Sequence, residues 1–110
     1  MVIICAFTIL LTGCLGSDNQ PPECTILASP NFGDHPLEVT FSMGASDLDG
    51  SIVSWSLDVE GDGTPEYSGQ GGPSQTLVHQ YSYSGEFTPT LEVVDDGGKS
   101  CTSTDNVSVL

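Results

Sequence analysis

The 110-residue chain predicts an all-β fold of two packed sheets with about seven strands, on three observations. Apolar residues recur at every second position in several short runs. Clusters rich in Asp and Gly separate those runs about every ten residues, as in a sandwich. No stretch carries the periodicity of a long helix. A strand with one apolar face must bury it, so six or seven such strands pair as two facing sheets.

The strands are taken in chain order. Cys24 to Ala28 is a short apolar run closed by Ser29-Pro30. Leu37, Val39, Phe41 and Met43 alternate with Glu38, Thr40 and Ser42. Val53, Trp55, Leu57 and Val59 alternate in the same way with Ser54, Ser56 and Asp58. Thr76 to Tyr83 carries Leu77, His79, Tyr81 and Tyr83 on one side. Phe87, Leu91 and Val93 alternate with Thr88, Thr90 and Glu92. Thr102 to Leu110 ends the chain, with Val107 and Val109 on a common face. Asp47-Leu48-Asp49-Gly50, Gly61-Asp62-Gly63 and Asp95-Asp96-Gly97-Gly98 read as turns, because Asp caps backbone amides and Gly accepts positive φ.

Residues 1–14 contain no charged side chain, and the apolar run is too short to cross a bilayer as a helix of about 20 residues. It fits the hydrophobic region of a signal peptide over 1–13. Leu11-Thr12-Gly13-Cys14 resembles the lipobox of prokaryotic lipoproteins. That resemblance implies cleavage before Cys14, acylation of its thiol, and a mature chain held at the extracellular face of a membrane. Residues 14–22 then form a Gly- and Pro-containing lipid-anchored tether, and 23–110 the folded domain. With Cys5 lost and Cys14 acylated, Cys24 and Cys101 remain, a pair suited to a disulfide in an oxidising compartment.

Fifteen Asp and Glu oppose a single basic residue, Lys99, for a formal net charge of −14. Such a chain cannot neutralise phosphates, so nucleic acid is excluded as a partner, and so is electrostatic attachment to anionic lipid. Salt or divalent cations would screen the self-repulsion. No nucleophile elbow, phosphate loop or zinc spacing is present, and His35 and His79 read as structural residues, so no catalytic function is expected.

Five further segments carry a family likeness: Ala45-Ser46-Asp47-Leu48-Asp49-Gly50-Ser51-Ile52; Trp55 through Gly63; His79-Gln80-Tyr81; Ser84-Gly85-Glu86-Phe87; and Leu91 through Gly98. In this order and spacing they resemble the PKD domain, an immunoglobulin-like β-sandwich module of archaeal and bacterial surface proteins. The likeness spans about residues 22–110. It departs from the family's pattern in Leu57, where a tryptophan is usual, in Glu60, an extra residue of the turn, and in Pro89 within a strand. The resemblance implies a non-catalytic spacer or interaction module contacting proteins, polysaccharide or the cell envelope. In an immunoglobulin-like sandwich the later part of the first strand runs parallel to the last strand, which puts Cys24 and Cys101 in reach of each other.

Three candidate sites remain. Asp58, Glu60, Asp62, Thr64 and Glu66 follow the spacing of the first nine positions of an EF-hand calcium loop, with Gly63 at the sixth; the bidentate twelfth glutamate is absent. The alternative is an acidic turn in which Asp and Gly serve the backbone alone. Aromatic faces stack on sugar rings. Trp55 and at least one of Tyr81 and Tyr83 are expected in the core, leaving Tyr67 as the exposed glycan contact. Asn106-Val107-Ser108 is an N-glycosylation sequon on a predicted strand.

Overall fold

The computed structural model describes residues 20–110. The expected signal peptide, Cys14 and most of the tether lie outside the described residues. The strands are β1 (Glu23–Ser29), β2 (Phe32–Gly33), β3 (Leu37–Ser46), β4 (Ile52–Asp58), β5 (Tyr67–Gln70), β6 (Thr76–Tyr81), β7 (Gly85–Phe87), β8 (Thr90–Asp95), β9 (Ser100–Thr104) and β10 (Val107–Val109). They form sheets of order β1-β3-β6 and β5-β4-β8-β9, with a smaller sheet β2-β10-β7.

The alternation read from the sequence places the core. Val39, Phe41 and Met43 of β3 face Trp55 and Leu57 of β4 and Leu91 and Val93 of β8, with Ile26, Ala28, Val107 and Val109 completing one buried cluster. Between them, Ser42 of β3 and Glu92 of β8 are exposed and Thr40 is half-buried. Burying a Leu, Val or Phe side chain stabilises by about 1.5–3 kcal/mol, so this cluster is the main favourable term in a small domain.

Val53 departs from its expected inward position. A register shift between Ile52 and Ser54 bulges β4 there, and Val53 is 41% exposed. An extra residue in one strand turns the side chain at the bulge away from the face its neighbours share. Tyr83 departs too, because β6 ends at Tyr81 and the chain turns before reaching it; Tyr83 is 77% exposed.

Two predicted strands are each divided. Phe87 pairs with Val107 and Thr90 with Thr104, so one antiparallel register runs unbroken across Pro89. The Pro89 carbonyl accepts the Asp105 amide at 3.2 Å, but Pro89 has no N–H to return. One ladder bond is therefore missing, no bulge compensates, and the strand segments on either side belong to different sheets: β7 and β10 to the small sheet, β8 and β9 to the large one. The Asp105 carboxylate accepts the amide of Ala28 in β1 at 2.9 Å, tying this strand to the other main sheet.

β2 runs parallel to β10, pairing Phe32 with Ser108 and Gly33 with Val109. His35 closes this corner, donating to the Leu110 carbonyl from its backbone amide at 3.1 Å and from ring Nδ1. It is a structural histidine, as expected.

Cys24 of β1 and Cys101 of β9 form a disulfide, with Cα atoms 6.0 Å apart. It joins an edge strand of each main sheet, clamping one open side of the sandwich. The chain enters at the end carrying the Asp47–Gly50 turn: Glu23 pairs with Ser46, and the Gln20 amide donates to the Asp49 carboxylate at 2.6 Å. Leu37 pairs with Tyr81 at the opposite end, where the Asp58–Glu66 loop also lies, since β4 runs from the first end to the second.

Candidate functional site

The Asp58–Glu66 loop is built around one carboxylate. Asp58 closes β4 and is buried. Its Oδ1 accepts the amides of Glu60, Gly61 and Asp62 at 3.2, 2.8 and 3.3 Å, and its Oδ2 accepts that of Gly63 at 2.7 Å. Burial pushes this carboxyl upward, but four backbone donors outweigh it and hold the group below the usual carboxylate range. Gly61 has φ +74°, and a Cβ there would stand 2.5 Å from the Thr88 carbonyl oxygen, so the residue must be glycine. Glu66 Oε1 accepts the Val59 amide at 2.8 Å and Asp62 Oδ1 that of Thr64 at 3.0 Å.

Of the five residues that followed the EF-hand spacing, three carboxylates converge: Asp58, Asp62 and Glu66 bring oxygens within 4.8 Å of one another. Glu60 is not part of that group, although its side chain lies beside Asp62. Each converging side chain is also engaged with a backbone amide, the arrangement expected of a turn in which Asp serves the backbone.

A second acidic group joins Asp47, whose turn partner Asp49 was the other possible ligand in the sequence, to residues the sequence did not pair with it. Asp47, Asp95 and Asp96 also place oxygens within 4.8 Å. The Asp96 amide donates to the Ser51 carbonyl at 3.0 Å, which docks the β8–β9 turn on the Asp47–Gly50 turn. Asp95, 1% exposed, caps its own turn by accepting the amides of Gly97 at 3.0 Å and Lys99 at 2.8 Å. Asp47 differs: both of its carboxylate oxygens are out of water and without a hydrogen-bond partner. Burial raises this carboxyl above its ordinary range, and the neighbouring Asp49 and Asp95 carboxylates raise it further, against a smaller opposing pull from the Asp49 amide. A buried polar group without a partner is uncommon and calls for an explanation. The signal in the sequence was the pair of Asp-Gly turns; their meeting across 48 positions was not visible there.

The aromatic residues do not divide as expected. Trp55 and Tyr81 are in the core, in agreement with the sequence. Tyr67, expected to be exposed, is half-buried on edge strand β5, where its hydroxyl and His79 Nδ1 share a hydrogen bond of 2.9 Å. The exposed tyrosine is Tyr83 instead. Tyr67, His79, Tyr81 and Phe87 form a continuous row: edge-on contacts at 5.8 and 4.9 Å, then a stacked pair at 4.7 Å. Burial holds His79 below the usual imidazole range, against the opposing pull of Glu66. The Tyr81 hydroxyl donates to the Val59 carbonyl at 2.6 Å and so ties β6 to the Asp58 loop. Asn106 lies in the break between β9 and β10 rather than on a strand, and is exposed.

The PKD domain family model matches residues 23–108. The chain belongs to the PKD-domain family. No curated protein matches this PKD domain, but solved structures do. The PKD1 domain of Vibrio anguillarum Epp is 26% identical with a TM-score of 0.61, the match covering 84% of this chain and 96% of that one. The PKD1 domain of the Vibrio cholerae metalloprotease PrtV is 27% identical with a TM-score of 0.60, over 82% of this chain and 98% of that one. A chain from work on the promiscuous specificity of carbohydrate-binding modules of the β-sandwich superfamily is 29% identical with a TM-score of 0.67. That match covers 84% of this PKD domain's chain but spans only 35% of the other.

Proposed function

We propose that this PKD domain is a non-catalytic contact module, anchored by a lipid on Cys14 at the extracellular face of a membrane, that engages surface proteins or polysaccharide. The observation that carries the reading is the Cys24–Cys101 bridge. A disulfide across the sandwich belongs to an exported protein, and it follows an apolar run ending in Leu11-Thr12-Gly13-Cys14. The contact role is supported by the family match and by the carbohydrate-binding modules among similar structures. Expressed in a lipoprotein-processing host, the parent protein is expected in the membrane fraction. Cys14→Ser is expected to be released from it or to keep its signal segment. A mutant that fractionates with membranes and loses the signal as the parent does would contradict the anchor.

A second reading, a calcium-stabilised spacer, is favoured by the unpartnered Asp47 carboxylate. A divalent cation held by Asp47, Asp95 and Asp96 would satisfy oxygens that have no hydrogen-bond partner at normal distance, and hard cations take such oxygen ligands. The Asp58, Glu60, Asp62, Thr64 and Glu66 set is the weaker candidate, because amides already occupy much of the Asp58 carboxylate. The sign of the pH effect separates them. Asp47 has a raised folded-state pKa, so its contribution is favourable at low pH and is lost as pH rises through that value. In chelator at neutral pH, Asp47→Asn is expected to melt above the parent. Millimolar calcium is expected to raise the parent's melting temperature, to leave Asp47→Asn almost unchanged, and to act on Asp62→Asn as on the parent. Equal calcium shifts in all three proteins would exclude the Asp47 site.

A further inference from the structure

At the end of the sandwich opposite Gln20, an open-sided recess of about 160 Å³ is lined by His79, Tyr81, Tyr83, Phe87 and Glu60, among others. Its back wall is the aromatic row, whose rings are fixed by mutual contact and by the Tyr81–Val59 hydrogen bond. Tyr83 stands at the recess with 77% of its surface in water, although nothing in the fold requires a large aromatic side chain to be exposed there. Glu60 follows directly on the end of β4 and Val59, and is exposed at the recess.

We propose that this recess receives one basic side chain, an arginine guanidinium in the first place, from a partner protein. Size is the first argument: pockets that enclose whole small molecules measure roughly 300–1,000 Å³, whereas this recess suits the head of a single side chain. Chemistry is the second. A planar cation stacks on aromatic faces and pairs with a carboxylate, and aromatic rings and a carboxylate both line the recess. Charge is the third. A domain of net charge −14 steers basic surfaces toward itself and repels acidic ones. The inference rests on reading the domain as a contact module and names the chemistry of the contact. The recess lies at the end of the sandwich opposite Gln20.

The probe is N-acetyl-arginine amide titrated into the isotope-labelled domain, residues 20–110, after a melting curve establishes that it folds; N-acetyl-citrulline amide is the neutral isostere and cellotriose the sugar. Arginine amide is expected to shift the amide signals of Glu60, residues 79–83 and Phe87, saturably, while the citrulline compound does not. Tyr83→Ala and Glu60→Gln are surface changes that leave the fold intact, and each is expected to weaken the arginine amide at least twofold. Arginine shifts spread evenly over acidic residues and indifferent to Tyr83→Ala would overturn the proposal. So would cellotriose shifting the recess while arginine leaves it silent. Cross-linking of the anchored, full-length protein on intact cells separates the two levels. Envelope partners captured equally by the parent and by Tyr83→Ala/Glu60→Gln overturn the recess alone, and no capture by either overturns the contact role as well.

Discussion

Removing the disulfide as Cys24→Ser/Cys101→Ser is expected to lower the melting temperature by about 20 °C. The bridge closes a loop of 77 positions, and constraining a chain of that length in its unfolded state stabilises by about 4.5 kcal/mol in the chain-entropy model. In a domain of this size each kcal/mol moves the midpoint by about 4–8 °C, and a domain this small has a total stability of only about 5–10 kcal/mol. The packing predicts the same direction. Cys24 and Cys101 lie on edge strands β1 and β9, which have no shared ladder between them, so without the bond that side of the sandwich is held by side-chain contact alone. Thermal unfolding followed by circular dichroism, with and without reductant, measures the effect. A shift below about 5 °C would mean that the bridge constrains nothing the core does not already fix.

Asp58→Ala is expected to destabilise by about 3 kcal/mol, since it strips the acceptor from the amides of Glu60, Gly61, Asp62 and Gly63 together. Water reaches the outer side of this loop, so the cost stays well below four buried losses. Asp58→Asn keeps one oxygen and is expected to cost about half as much. The pH dependence identifies the cause. The folded-state carboxyl lies below its ordinary value, so the unfolded chain takes up the proton first. Its stabilisation is complete above the unfolded value of about 3.9 and is lost as pH falls through the folded one. The difference between parent and Asp58→Ala is therefore expected to be constant from pH 6 to 8 and to shrink below pH 4. A difference that does not change with pH would assign the loss to packing rather than to the capped turn.

The core was legible because its signal is local. Alternation in β3 and in Trp55 to Val59 names the buried residues directly, since successive side chains of a strand point to opposite faces. What the sequence hid depends on contacts between distant segments. Nothing local marks the bulge that turns Val53 outward, or the two-residue β2, which exists only because β10 lies beside it. Pro89 signalled a lost ladder bond, but not that the strand changes sheets there. The capped Asp58 turn was legible as one of two alternatives, and its amide partners favour the backbone role. The Asp47–Asp95–Asp96 group was not legible, because its members are neighbours only after β4 and β8 have paired. Tyr67 was misplaced because a four-residue edge strand with two polar positions resembles a loop, and the ring found His79 across the open side of the sandwich.

The central claim, an exported PKD domain carried on a lipid, is tested most directly by the intact mass of the mature protein extracted from membranes and alkylated before and after reduction. The predicted result is a chain beginning at Cys14 with added acyl mass, unreactive to the alkylating reagent until reduction, and then labelled at two cysteines. A chain that retains residues 1–13 without acyl mass, or that labels at Cys24 and Cys101 before reduction, would contradict it.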